Sequence, residues 1–287
     1  MRLRALAKIN LGLDILGKRE DGYHEVKMIM QTIQMYDVLE LHKKKKPGIS
    51  LTVNVPFIPT DERNLVYRAA AMLMEEFHVQ EGLSIRLDKF IPVAAGMAGG
   101  SSDAAAAFVG VNKLFHLGLS QKELMERAVK VGADVPYCIM RGTALAEGIG
   151  EKLTALPPVP PCYVLIGKPA VSVSTKMAYE NLNLETIKKH PDIDGMILDI
   201  ESGNLKKMTE KMANVFEPGI IREYPVIQEI KDFMEEKGAL RAMMSGSGPT
   251  VFGIFDDREK MERAAEGLRA GELAKTVFAT EVFNRRV

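Results

Sequence analysis

Pro92-Val93-Ala94-Ala95-Gly96-Met97-Ala98-Gly99-Gly100-Ser101-Ser102-Asp103, followed by the alanine run Ala104 to Ala107, is a glycine loop that empties into a helix N-terminus. A short strand near Leu83 to Leu87 leads into it. Glycines let the backbone take positive φ and approach a ligand, while the following helix turns unpaired N–H groups and its positive dipole end toward the loop. That geometry suits phosphate. No Lys-Ser or Lys-Thr follows the glycines, so the loop is not of Walker type, and its spacing does not match the dinucleotide fingerprint. Taken alone, the loop can also be read as a turn selected for tight packing.

The chain has 287 residues, which suggests about two domains. Its 46% hydrophobic and 26% charged content is ordinary for a globular protein and excludes disorder, collagen and coiled coil. Lys plus Arg and Asp plus Glu both number 38, so no basic excess exists to hold nucleic acid or a membrane by bulk charge. An anionic ligand must be gripped locally. Cys138 and Cys162 form neither a CxxC nor a paired spacing, which points to inert thiols in a reducing compartment. Lys8, Asn10 and Asp14 interrupt the N-terminal apolar runs, so neither a signal peptide nor a spanning helix is expected, and the cytoplasm is the expected location.

From Arg2 to Ile15 apolar and polar residues alternate, which predicts a half-buried strand with Lys8 and Asn10 adjacent on its polar face. Asp21-Gly22 predicts a hairpin turn beside Tyr23 and His24, then a strand over Glu25 to Ile33. Lys43 to Lys46 reads as a solvated loop. Asn64 caps a helix with Leu65, Ala69, Met72, Leu73 and Phe77 on one face, and Ser120 with Glu123 forms a capping box. Four prolines between Pro157 and Pro161 mark a domain boundary, separating 1–156 from 162–287. Beyond it, Cys162 to Gly167 is an apolar strand, and helices fall around Thr186, over Leu205 to Met212 and after Pro225. The chain closes with a strand to Met244, the turn Ser245-Gly246-Ser247-Gly248-Pro249-Thr250, a strand over Val251 to Phe255, a helix over Arg258 to Arg269 and a strand near Thr276 to Phe283.

Each remaining motif also has an ordinary structural reading. Lys8 could be an edge-strand charge, Asp134 a helix cap ahead of Pro136, and Ser245 to Thr250 a plain turn. Their joint occurrence in this order is similar to the GHMP kinase superfamily, which includes galactokinase, homoserine kinase and mevalonate kinase. Ala7-Lys8-Ile9-Asn10-Leu11, Asp21-Gly22-Tyr23-His24, Asn64-Leu65-Val66, Pro92 to Ala107, Gly132-Ala133-Asp134-Val135-Pro136, Gly142-Thr143-Ala144, Gly148 to Glu151 and Ser245 to Pro249 carry the resemblance. They span nearly the whole chain. Asp-Gly-Tyr-His singles out the branch that acts on a cytidine-diphosphate-linked methylerythritol.

The resemblance implies an α+β, two-domain GHMP kinase fold: an N-terminal nucleotide-binding α/β domain, a C-terminal ferredoxin-like α+β domain, and an active site in the cleft between them. It implies ATP with Mg2+. ATP phosphates would lie along Pro92, Val93, Ala94, Ala95, Gly96, Met97, Ala98, Gly99, Gly100, Ser101 and Ser102, with adenine near Asn64 and Leu65. Asp134 would take the acceptor hydroxyl's proton, and Lys8 would hold that oxygen and the transferred phosphoryl charge. Asn10 would help fix the acceptor. Tyr23 and Tyr179 would sandwich cytosine while His24 hydrogen-bonds it. Ser101 and Ser102 are near enough to be magnesium candidates, although the metal ligands are unknown. A monomer or weak homodimer is expected. Met97-Ala98 stand where this family often has Leu-Gly, and an alanine forced to positive φ there would be strained. The alternatives are another GHMP small-molecule kinase, of homoserine or mevalonate type, and a catalytically silent nucleotide-binding protein. The first lacks reason for Tyr23-His24, and the second would be expected to lose Lys8 or Asp134.

Overall fold

The computed structural model describes residues 1–187 and 189–285. Its contacts divide into two units, one comprising Met1–Ala7, Met35–Val93 and Ala98–Met140, the other Lys8–Gln34, Ala94–Met97 and Arg141–Val287. The chain passes from one to the other within its two longest strands, β1 (Arg2–Lys18) and β2 (His24–Lys44), which pair with each other.

In the first unit β3 (Ile49–Val53) runs parallel to β4 (Gly82–Asp88), and β4 is antiparallel to β2 over Val38 to Lys44. Thus β2 extends through Lys43 and Lys44, where a loop was expected. The reason is alternation: Leu39 and Leu41 are buried, and their inward register carries the lysines along as ladder residues. Asn64 caps the helix Leu65–Glu76, its oxygen accepting from Val66 N–H at 2.9 Å, as its sequence position predicts. The buried face of that helix is Val66, Ala69, Ala70, Leu73 and Met74, turned from the expected stripe so that Leu65 and Met72 are only partly covered. The helix Gly99–Leu114 packs against it, and its four consecutive alanines, Ala104 to Ala107, are all buried. Ser120 and Glu123 form the expected capping box of the helix Gln121–Ala128.

In the second unit β5 (Thr143–Gly148) is antiparallel to β2 over Val26 to Gln31, and β6 (Lys152–Ala155) pairs with β5. A separate antiparallel sheet contains β7 (Tyr163–Lys168), β8 (Arg241–Met244), β9 (Val251–Phe255) and β10 (Thr276–Glu281), in the order β10-β7-β9-β8. With the helix Val226–Glu236 before β8 and Arg258–Ala270 before β10, this is the ferredoxin-like βαββαβ order. Ile227, Ile230 and Met234 bury one face of the first helix, as their spacing predicts. The helix expected around Thr186 is a single 3-10 turn, Leu184–Thr186.

The largest departure from the sequence reading is in β1. Instead of one solvated face, everything from Ala5 to Ile15 is buried. Lys8 Nζ donates to Asn10 Oδ1, Asp14 accepts from His190 Nδ1 at 2.8 Å, and Gly12 lies beneath Ile193 and Met196. A strand can hide a polar row when each member finds a partner.

A buried ionic cluster anchors the entrance to the glycine loop. Lys89 Nζ bonds Asp37, and Asp103 Oδ2 at 2.7 Å, while the other Asp37 oxygen accepts the Phe90 and Ile91 N–H groups. Asp103 Oδ1 has no hydrogen-bond partner. Burial pushes the Asp103 carboxyl well above the usual carboxylate range, and the Asp37 charge adds to this against the pull of Lys89. The folded state therefore binds the proton more tightly, and this group's contribution to stability falls as pH rises from the ordinary carboxylate value through the raised one. We expect Asp103→Asn to abolish that slope, so that its stability relative to the parent improves as pH increases from about 4 to 7. Lys89→Met strands Asp37 and should cost about 3–5 kcal/mol. Urea unfolding at both pH values checks each, and an Asp103→Asn protein that loses ground with rising pH would contradict the assignment.

Candidate active site

The glycine loop shows why its sequence is unusual. Gly96 has φ +71°, and both Ala94 (φ 51°) and Ala98 (φ 54°) adopt the left-handed conformation that alanine disfavours. The strain expected at Ala98 is therefore real. It places Ala98 as the residue before the helix Gly99–Leu114, which has no side-chain cap, so its leading N–H groups are open to an anion. Ser101 is half-buried at this end. Ser102 is turned into the core, donating to Leu6 O at 2.6 Å, with Cys138 Sγ 3.3 Å from its hydroxyl oxygen. Burial pushes the other thiol, Cys162, up to about 12, so both cysteines are buried structural groups.

In the second unit, residues far apart in sequence converge on the Ala94–Met97 segment. Lys8 N–H donates to Met97 O at 3.2 Å, and Lys8 Nζ donates to Asn10 Oδ1 at 2.8 Å. Asn10 Nδ2 in turn lies 3.2 Å from Met28 Sδ. Lys8 is only 5% exposed, which removes the reading of a solvated edge charge. Ser245 Oγ donates to Gly96 O at 2.9 Å, and a Cβ on Gly96 would lie 2.0 Å from Ser245 O. Thr175 and Ser247 hydroxyls meet at 2.9 Å.

His24 and Tyr179 come together with ring centroids 5.2 Å apart, and Tyr179 meets the edge of Phe216 at 4.9 Å. Tyr23 stands on the turn, 60% exposed. Burial, aided by the Lys18 charge, lowers the His24 pKa and so favours the neutral ring, which offers one donor and one acceptor. Phe216 had no signal in the sequence beyond being aromatic.

Asp134 belongs to the first unit, half-buried at the residue before the helix Val135–Met140, its carbonyl accepting from Cys138 N–H. In the same unit Asn64 has both ends of its amide engaged, by Val66 N–H and by Pro59 O at 2.8 Å, while Leu65 Cδ1 borders Gly100. Asn64 thus shapes the turn that presents Leu65. Sequence reasoning missed Lys89, Asp37 and Asp103, because an ion cluster assembled from a strand, a loop and a helix leaves no local pattern.

Residues 64–142 match the GHMP kinases N terminal domain, and residues 196–272 match the GHMP kinases C terminal domain. The chain belongs to the GHMP kinase family and is an ATP-dependent small-molecule kinase. It is 52% identical to the 4-diphosphocytidyl-2-C-methyl-D-erythritol kinase of Lachnospira eligens, over 99% of this chain and 98% of that one. Identity to the protein of the same name from Lachnoclostridium phytofermentans is also 52%, with the same coverage. A crystal structure of 4-(cytidine 5'-diphospho)-2C-methyl-D-erythritol kinase superposes with a TM-score of 0.84 at 30% identity, covering 98% of this chain and 99% of that one. The homoserine kinase of Cytophaga hutchinsonii shares the fold, with a TM-score of 0.74 at 20% identity over 96% and 93% of the two chains.

Because the Gly96 Cα hydrogen is what lets two backbones touch, Gly96→Ala should lower stability by about 3 kcal/mol, combining overpacking with positive-φ strain. We expect turnover to fall at least about 10-fold, since a small misplacement of binding groups costs up to about 10²-fold. Denaturant unfolding and an ADP-release assay measure both, and parental values for the variant would show that this contact is dispensable.

Proposed function

We propose that this kinase transfers the γ-phosphoryl group of ATP to the 2-hydroxyl of 4-diphosphocytidyl-2-C-methyl-D-erythritol, giving the 2-phosphate and ADP. The observation that carries the reading is the His24–Tyr179 pair, an imidazole tilted against an aromatic ring, in a unit that also holds Lys8 and Asn10. The identity to relatives of that name supports the same acceptor.

In this reading Asp134 accepts the hydroxyl proton as the oxygen attacks the γ-phosphorus and the bond to the departing ADP breaks. Lys8 holds the acceptor oxygen and the charge spread over the transferred group, which matters because phosphoryl transfer has a loose transition state. Asn10 keeps the Lys8 ammonium aimed, through their 2.8 Å bond, and contacts the acceptor. Cytosine stacks between Tyr179 and Tyr23, which must fold in from its exposed turn, and its polar edge meets His24. Phosphates follow the loop Pro92 to Ser102 onto the uncapped helix end, with adenine beside Asn64 and Leu65.

Among the described residues no group of three or more His, Cys, Asp or Glu is disposed to hold a metal. A magnesium ion would be held chiefly through phosphate oxygens, and the half-buried Ser101 hydroxyl is the protein group that could join them, since Ser102 is committed to Leu6 O. When bound, the ion neutralises β- and γ-phosphate charge. No helix among the described residues is long and apolar enough to cross a membrane. We propose, separately, a cytoplasmic enzyme that is a monomer or weak homodimer. Pro157 to Pro161 lies between the two family matches, in keeping with a boundary between a nucleotide domain, 1–156, and a C-terminal domain, 162–287.

The test is an ADP-release assay with the cytidine-linked acceptor, homoserine and mevalonate. Only the first should turn over appreciably. Asp134→Asn should lower turnover by about 10² to 10⁴, the usual worth of a general base. Lys8→Met should lower it by about 10² or more with the ATP constant nearly unchanged. Retention of more than about a tenth of parental turnover by folded Asp134→Asn would remove the base from the mechanism, and a Lys8→Met defect confined to ATP affinity would move Lys8 to the nucleotide site.

A further inference from the structure

Residues 213–217 have no part in the roles above, yet they touch β1, the turn around Ser245 and Tyr179. Leu13 N–H donates to Ala213 O at 3.0 Å and Val215 N–H to Leu13 O at 3.1 Å, so the segment is laced to β1, the strand of Lys8 and Asn10. The Asn214 side chain, 4% exposed, donates through Nδ2 to both Met244 O and Gly246 O at 2.8 Å and accepts through Oδ1 from Phe216 N–H at 3.0 Å. Glu217 reinforces it, accepting from Met244 N–H at 2.7 Å and from Lys231 at 2.9 Å. On one side, then, Phe216 meets Tyr179, and Tyr179 meets His24. On the other, Met244 and Gly246 flank Ser245, the residue in contact with Gly96.

An asparagine amide has two N–H donors and one carbonyl oxygen. Here both donors and the oxygen are used, in a buried setting where a lost partner leaves a polar group unsatisfied. Phe216 therefore cannot shift without either carrying Asn214 along or breaking these bonds.

We infer that Asn214 is a positioning residue that couples the pyrimidine site to the phosphate loop, so that acceptor and ATP bind cooperatively. A base seated on Tyr179 fixes Phe216, hence Asn214, hence the Ser245–Gly248 turn against Gly96. Order gained in seating one ligand need not be gained again for the other. The inference rests on His24 and Tyr179 being the base site, as proposed above.

The experiment is calorimetric titration of the full chain with a non-hydrolysable ATP analogue, with and without saturating cytidine 5'-diphosphate. In the parent protein the cytidine nucleotide should tighten analogue binding about 5-fold or more, within the ordinary range of coupling. Asn214→Asp keeps the shape and removes both donors, and should reduce the factor below about 2-fold. Phe216→Leu breaks the ring contact while leaving the backbone bonds, and should have the same effect even if Asn214→Asp does not fold. A merely structural role for Asn214 would lower unfolding temperature with the coupling factor intact, and that result overturns the inference, as does a parental factor near one. Tyr179→Ala separates the premise from the inference. If cytidine diphosphate binds that variant as well as the parent, the base site is wrong and the coupling falls with it. If binding needs Tyr179 but leaves the analogue's affinity unmoved, only the role of Asn214 falls.

Discussion

The second unit depends on the approach of two backbones. Gly96 O receives the Ser245 hydroxyl, and the Gly96 Cα sits so close to Ser245 O that no side chain could stand between them. Both turns must be glycine-rich for this to occur, and Gly246 and Gly248 have positive φ on the other side. Once in place, the contact fixes Met97, whose carbonyl accepts the Lys8 N–H, and Lys8 in turn meets Asn10. One van der Waals constraint thus orders groups contributed by β1, the central loop and the C-terminal turn. The positive-φ alanines flanking it carry strain of about 1–2 kcal/mol each, and packing elsewhere must offset it.

How much of this was legible in the sequence follows from how local each interaction is. Asn64, Ser120 and Glu123 act within a few residues, so their caps could be read directly. The left-handed Ala98 was legible because glycine loops have known backbone needs and alanine meets them poorly. Two things were not readable. The polar row of β1 alternates like a solvated face, and only partners such as His190, reached through the fold, turn it inward. The cluster of Lys89, Asp37 and Asp103 unites residues from three elements, none of which is charged in a pattern that marks burial. Of the residues read from the sequence, Lys8 meets Asn10 and His24 meets Tyr179, whereas Asn214 and Phe216 declared themselves only through their neighbours.

Electrostatics shape the chemistry in the same local way. With equal numbers of acidic and basic side chains, the protein has no net field to draw in a triphosphate and a nucleotide-linked acceptor. In the proposed site the groups offered to anions are instead an uncapped helix end, which is open to solvent, and a lysine that is itself buried. In the proposed reading, recognition of the acceptor falls to rings and to His24, groups that read a base by shape and hydrogen bonding and are largely insensitive to salt.

The central claim is that binding energy from a cytosine is used to place a distant hydroxyl for phosphorylation. The most direct measurement compares kcat/KM for 4-diphosphocytidyl-2-C-methyl-D-erythritol with that for methylerythritol phosphate lacking the cytidine half, in the parent protein and in Tyr179→Ala. Stacking on an aromatic side chain is worth about 1–3 kcal/mol, so Tyr179→Ala should lower kcat/KM for the full acceptor by roughly 5-fold to 150-fold and leave the truncated one unaffected. Equal efficiency toward the two acceptors in the parent protein would contradict the account.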